Sequence, residues 1–268
     1  MTGIFQSSLP VAPWMEEHTF RLPGTVPIAP ETWLQRDEVH AEQMALRDRL
    51  IAERPEAVHA LADSALPAAR ELLGMVLAHV GTDAGYRIGE AAATRPDGVT
   101  VPLDGPPLIA AGRLVQEDLV ILEKPEGETE HVMTGALVCF PSNWTLSEKF
   151  GRTLGRIHLP VASYDAEIAR RVQRLFDGIR EGKPIMRANL LVYGKSDLHN
   201  PRHEHDRHHP APDDRRYIRV ERQTFTRLPV SRAVVFAIHT YMVEPDALTP
   251  DQRERLLMAR PDVFGAEP

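Results

Sequence analysis

The 268-residue chain has the composition of an ordinary globular protein, with 43% hydrophobic and 26% charged residues. A formal net charge of −7 with no basic tract argues against a nucleic-acid partner. No apolar run reaches membrane-spanning length, no signal-peptide pattern opens the chain, and the single cysteine excludes an intramolecular disulfide. We therefore expect a cytoplasmic protein without a membrane or nucleic-acid partner.

The first part of the chain, residues 1–84, is predicted to be an irregular arm followed by a helical cap. Residues 1–30 are rich in proline, which favours irregular structure. Alanine and leucine then recur, and we expect helices from Pro30 to about Glu53, from Pro55 onwards, and from Leu66 to Val80.

The second part, residues 85–268, contains strand-like segments separated by amphipathic helices. The predicted strands cover residues 113–123, 131–140, 185–193, 217–225 and 233–241. Helices are predicted over residues 145–158 and 164–180. Because short turns join successive strands, we expect an antiparallel sheet with helices grouped on one side, which is an α+β fold.

His158 stands at the end of the helix predicted over residues 145–158. Thr145 and Glu148 have the spacing of a capping box, and Pro160 stops the helix. A neutral imidazole at such a position, beside apolar layers, is one way to bind the iron of a porphyrin. The pattern alone favours the plainer interpretation, a half-buried histidine that bonds a carbonyl or lies against the helix dipole.

The strand at residues 217–225 carries a polar face. Its alternation puts Arg219, Glu221 and Gln223 on one side and Arg222 on the other. This pattern is typical either of an exposed face with ion pairs or of a pocket wall, where an arginine meets carboxylates such as haem propionates. Arg187 and Asn189, on the preceding strand, leave the same two interpretations open.

Two further features have a structural and a functional interpretation. Cys139 follows an apolar run, so a buried, inert thiol is favoured over a thiolate ligand to haem iron. The tract at residues 199–209 holds five histidines that could chelate a metal. Its proline and charge content favour a solvated loop instead.

Several long segments resemble blocks of the haem-dependent oxidative N-demethylase family. They are CFPSNW, EKFGRTLGRIHLPVASY and RVERQTFTRLPVSRAVVFAIHTY, with PIAPETWLQRDEVHAEQMALRDRL and LVQEDLVIL upstream. The resemblance spans positions 20 to 260. It implies an α-subunit-like protein with a PAS-like core, here residues 85–268, that binds haem b. Such a subunit works with separate reductase subunits, which would carry a flavin or nicotinamide, to demethylate a small methylated amine and release formaldehyde.

The resemblance also implies roles for individual residues. His158 matches the family's axial histidine and would be the iron ligand. The ERQT block and its preceding arginine would line the haem or substrate pocket: Arg219, Glu221, Arg222 and Gln223. Arg187 is also expected to contact the cofactor, because its guanidinium could bind a haem carboxylate as the other arginines could. Glu221 would bind the substrate ammonium, since a buried cation needs a partner.

The chain departs from the family's pattern at Ala162, Leu190 and His239, where proline, tryptophan and arginine are more usual. The last two departures could alter a pocket wall and so change the amine. Other functions remain open from the residues: a PAS-like haem sensor or carrier without turnover, a metal-binding protein that uses residues 199–209, and a scaffold without a ligand.

Overall fold

The structure is a computed structural model that describes residues 3–20, 24–159, 166–206, 216–261 and 263–264. The helices in the described residues are α1 (Glu17–Phe20), α2 (His40–Glu53), α3 (Pro55–Val58), α4 (Leu66–Val80), α5 (Pro107–Gly112), α6 (Leu146–Lys149), α7 (Leu154–His158), α8 (Ala166–Gly178) and α9 (Pro250–Ala259). The strands are β1 (Val26–Pro27), β2 (His59–Leu61), β3 (Arg87–Ile88), β4 (Ala92–Thr94), β5 (Thr100–Pro102), β6 (Asp118–Glu123), β7 (Val132–Leu137), β8 (Ile185–Tyr193), β9 (Tyr217–Arg227) and β10 (Val234–Val243).

A seven-stranded antiparallel sheet organises the protein, in the order β1-β8-β9-β10-β6-β7-β2. Strands β3, β4 and β5 form a smaller sheet. The predicted α+β class is confirmed. Strands β1 and β2 come from the first 84 residues, so the N-terminal part supplies strands to the main sheet as well as helices.

Helices cover both faces of the sheet, so the expectation that they group on one side was wrong. Alternate residues of β6 enter two different cores, as the period of a strand requires. Leu119 and Ile121 pack with α4 and α5 in what we call the cap-side core. Val120 and Leu122 pack with residues of α6, α7 and α8 in the site-side core.

The predicted helix over residues 145–158 is broken into α6 and α7. Between them, Gly151 has φ +71°, a left-handed conformation that glycine adopts readily. The backbone between α6 and α7 bonds to β7 and to His131, which precedes β7. Gly151 N donates to Met133 O (2.9 Å), and Leu154 N donates to His131 O (3.0 Å). These bonds to the sheet replace those that a continuous helix would make.

The N-terminal helix also differs from its prediction, because α2 begins only at His40. Residues 30–39 form a short turn and an extended segment that lies against β9, where Trp33 O accepts from Thr224 Oγ1 at 2.8 Å. Nowhere in the described ranges is a helix both long and apolar enough to cross a bilayer.

Candidate functional site

His158 is the last residue of α7, a short helix fixed at both ends. Thr153 caps its start by accepting from Arg156 N (3.4 Å), and Leu154 and Ile157 anchor it in the site-side core. The half-buried His158 ring places Nδ1 2.8 Å from the Leu154 carbonyl oxygen. Because a carbonyl only accepts, Nδ1 carries the proton, and a metal would be bound through Nε2.

The charge state of His158 suits a metal ligand. Burial lowers its pKa, the bond to Leu154 O opposes that effect, and the positive charges of Lys149 and Arg187 lower the pKa further. The imidazole is therefore held neutral, which is the form that coordinates a metal.

A hydrogen-bonded polar network, which includes Arg187, joins β8 and β9. The register places Arg187 opposite Gln223 and Asn189 opposite Glu221. Arg187 Nη1 donates to Gln223 Oε1 (2.7 Å), and Asn189 Nδ2 donates to Glu221 Oε2 (2.9 Å). Gln223 Nε2 donates to the same Glu221 oxygen at 3.1 Å. The two strands thus hold one buried carboxylate in a fixed position.

Arg219 is a buried member of this network and contacts Glu221. Its guanidinium is fully buried and lies 3.1 Å from Glu221 Oε1. It also donates to the carbonyl oxygens of Leu198 (3.0 Å) and Phe140. Arg219 therefore pairs with Glu221 and ties β9 to the segment that precedes α6.

Lys149, the last residue of α6, acts electrostatically on both Glu221 and His158, and sequence reasoning missed it. Its Nζ donates to the Ile157 carbonyl (3.2 Å) and lies 5.1 Å from the centre of the Trp144 ring. Burial lowers its pKa, which the charges of Glu204, Glu148 and Glu221 oppose. Lys149 reaches α7 only because the chain breaks at Gly151, and no sequence pattern indicated that break.

Arg222 lies on the opposite face and is not brought together with the other predicted site residues. It donates to Thr32 O (2.6 Å) and Trp33 O (3.4 Å), in the segment that precedes α2. Two positions where the sequence departs from its family also lie away from the network. Leu190 packs with the N-terminal arm and α9, and His239 is buried beside Asp37 and Glu117. Ala162 falls outside the described residues.

Cys139 is fully buried in the cap-side core. Burial raises the pKa of its thiol to about 12, although the Arg47 charge acts in the other direction. A thiol that stays protonated is a poor ligand for iron. This placement favours the inert, structural interpretation.

The histidine-rich tract is described only up to residue 206, and His208 and His209 lie outside that range. His199 Nδ1 bonds to the Cys139 carbonyl oxygen (2.8 Å), and His203 lies 3.4 Å from Glu148. Within the described part of the chain, no three or more histidine, cysteine, aspartate and glutamate side chains are grouped to hold a metal ion.

One comparison with known proteins identifies the family. A family model described as "Haem-dependent oxidative N-demethylase, alpha subunit-like" matches residues 24–260. The chain belongs to this family. The resemblance carried by its motifs is thereby confirmed over most of its length.

The residues around His158 fit a haem. A porphyrin supplies four ligands to its iron, so a single neutral histidine suffices on the protein side. The site-side core lies beside His158, and Trp144 and Phe150 are partly buried against that core. Arg187 Nε is buried without a hydrogen-bond partner among the described residues. A ligand with carboxylate groups would supply the missing acceptor.

Proposed function

We propose that this chain is the haem-binding subunit of an N-demethylase that acts on a small methylated amine. The observation that carries the proposal is that His158 and Glu221 share two charged neighbours. Lys149 and Arg187 each act electrostatically on His158, and Glu221 acts on both of them. The His158 imidazole, which would bind the metal, and the buried Glu221 carboxylate are therefore both within electrostatic range of Lys149 and Arg187.

His158 would hold the iron through Nε2, with the Leu154 carbonyl fixing the orientation and protonation state of the ring. When bound, haem would supply the oxidation, in which dioxygen, two electrons and two protons convert the N-methyl group to formaldehyde and release the second oxygen atom as water. Cys139 is buried in the cap-side core, which supports a haem of the b type held without a covalent link.

Glu221 would bind the substrate through its ammonium group. Its carboxylate accepts three side-chain bonds, from Asn189, Arg219 and Gln223. A carboxylate offers about four lone-pair positions, so one remains for a donor on the amine. Because its side chain is only 8% exposed, Glu221 would favour a cation that has lost its water.

The electrons would come from a partner subunit. The chain shows no flavin, nicotinamide or cysteine-rich cluster motif, and the description of its family as alpha subunit-like supports an assembly with a reductase.

A visible spectrum of protein supplied with haem tests the iron ligand. We expect a Soret band in the wild type that is lost or shifted in His158→Ala, and unchanged in His203→Ala, a control for an exposed histidine. A Soret band that His158→Ala leaves unchanged would move the ligand to another residue. The absence of any band in the wild type would end the haem proposal.

A formaldehyde assay, with methylamines and a chemical or enzymatic reductant, separates the enzyme from a haem sensor or carrier. We expect formaldehyde above a haem-free control. Glu221→Gln keeps the shape of the side chain but removes its charge, and we expect KM for the amine to rise by about tenfold or more, with an unchanged Soret band. Haem binding without turnover of any methylamine would support the sensor instead.

A further inference from the structure

Lys149 and Arg187 lie near His158, and neither contacts an opposite charge within the part of the chain that the structure describes. Lys149 Nζ bonds to the carbonyl of Ile157, the residue next to His158 (3.2 Å). Arg187 Nη1 bonds to the neutral amide of Gln223 (2.7 Å). Neither cation has a carboxylate within 4.0 Å in the described ranges, and Arg187 Nε has no bonding partner there.

The acidic residues nearby are already occupied. Glu221 pairs with Arg219 (3.1 Å) and not with Lys149 or Arg187. On the outer side of α6 and α7, Glu204 pairs with Arg156 (3.1 Å) and Glu148 bonds to Thr145 (2.6 Å). Among the described residues, Lys149 and Arg187 therefore lack a paired carboxylate, although both side chains are half-buried. Burial of an unpaired charge costs free energy, which a dianionic ligand would offset.

We infer that Lys149 and Arg187 bind the two carboxylate side chains of the porphyrin, while His158 binds its iron. This inference rests on the proposed function, because it needs a porphyrin in the site. An arginine can bind a carboxylate through two parallel bonds, and the unpartnered Nε of Arg187 supplies one of the donors. Lysine contributes a point charge, which the Trp144 ring and the Ile157 carbonyl hold in place.

The test compares two porphyrins, only one of which has ionised carboxylates. Ferric protoporphyrin IX and its dimethyl ester, in which both carboxylates are esterified, are titrated into haem-free protein, and binding is followed by the Soret band. We expect the wild type to prefer the free acid by roughly ten- to a hundredfold. Lys149→Met and Arg187→Met should each reduce this preference, and the double variant should abolish it. Lys183→Met, at an exposed position of the same region, should leave it unchanged.

The charge-preserving variants Lys149→Arg and Arg187→Lys provide a second test if a methionine variant does not fold. Both should retain the preference for the free acid. Equal affinity of the wild type for the two porphyrins would overturn the inference and leave the haem proposal standing. An equal loss of affinity for both porphyrins in the methionine variants would also overturn the inference and leave the haem proposal standing. Failure of the wild type to bind either porphyrin would instead overturn the proposed function.

Discussion

Two sets of buried cations, one beside α2 and β10 and one around His158, differ in how their charges are paired. On the cap side, Arg47 of α2 lies 3.0 Å from Asp118 of β6. His239 of β10 lies 3.1 Å from both Asp37 and Glu117. These cations thus contact carboxylates of the protein itself. On the site side, Lys149 and Arg187 contact only neutral groups within the described residues.

The difference lies in the pairing of charges and not in the number of hydrogen bonds. Among the described residues, Arg47 also has two buried nitrogens without a hydrogen-bond partner, and Arg187 has one. Yet the Arg47 charge is matched by Asp118, which accepts from the backbone of Cys139 (2.8 Å) and Phe140 (2.9 Å) as well. The Arg47 charge is therefore matched within the fold, whereas neither Lys149 nor Arg187 has a carboxylate within 4.0 Å among the described residues.

Breaking the cap-side pair should have the largest effect on stability. Arg47→Met leaves Asp118 buried without its counter-charge, and we expect the free energy of unfolding to fall by about 3–5 kcal/mol. Urea denaturation of haem-free protein measures it. Arg36→Met, which breaks an exposed pair with Asp83, should cost no more than about 1 kcal/mol. Similar losses in the two variants would contradict the contrast between buried and exposed pairs.

The His239 cluster should make stability depend on pH. Burial disfavours the charged ring, but the charge of Glu117 and the bonds to Asp37 and Glu117 outweigh it and raise the pKa to about 9. A raised pKa stabilises the fold fully below the unfolded value of about 6.5, and this contribution is lost as pH rises towards 9. Since the ring is fully buried, we expect a loss of roughly 3 kcal/mol across that range.

Denaturation at a series of pH values measures this loss, with His239→Gln as the control. The variant carries no titrating group at this position, so its stability should be nearly flat between pH 6.5 and 9. Parallel pH profiles for the two proteins would mean that His239 does not carry the charge.

Local pattern predicted much of the fold, and tertiary pairing accounts for what was missed. The bounds of α4 and β8 agree with the prediction because hydrophobic periodicity alone defines them. The break at Gly151 depends on bonds to Met133, which is distant in sequence, so the helical stripe around it was misleading. Lys149 was missed for the same reason. Strand alternation had already separated Arg222 from Glu221, whereas the family motif grouped them.

The smallest effect, and the sharpest comparison with Arg47, is expected for Arg187→Met. Burial lowers the pKa of Arg187 and the charge of Glu221 opposes this, so burial disfavours the charged form of the side chain. In haem-free protein we expect the free energy of unfolding to stay within about 1 kcal/mol of the wild type or to rise. Added haem should reverse the order, because a ligand stabilises the protein that binds it more tightly. Equal destabilisation by Arg187→Met with and without haem would make Arg187 a structural residue like Arg47.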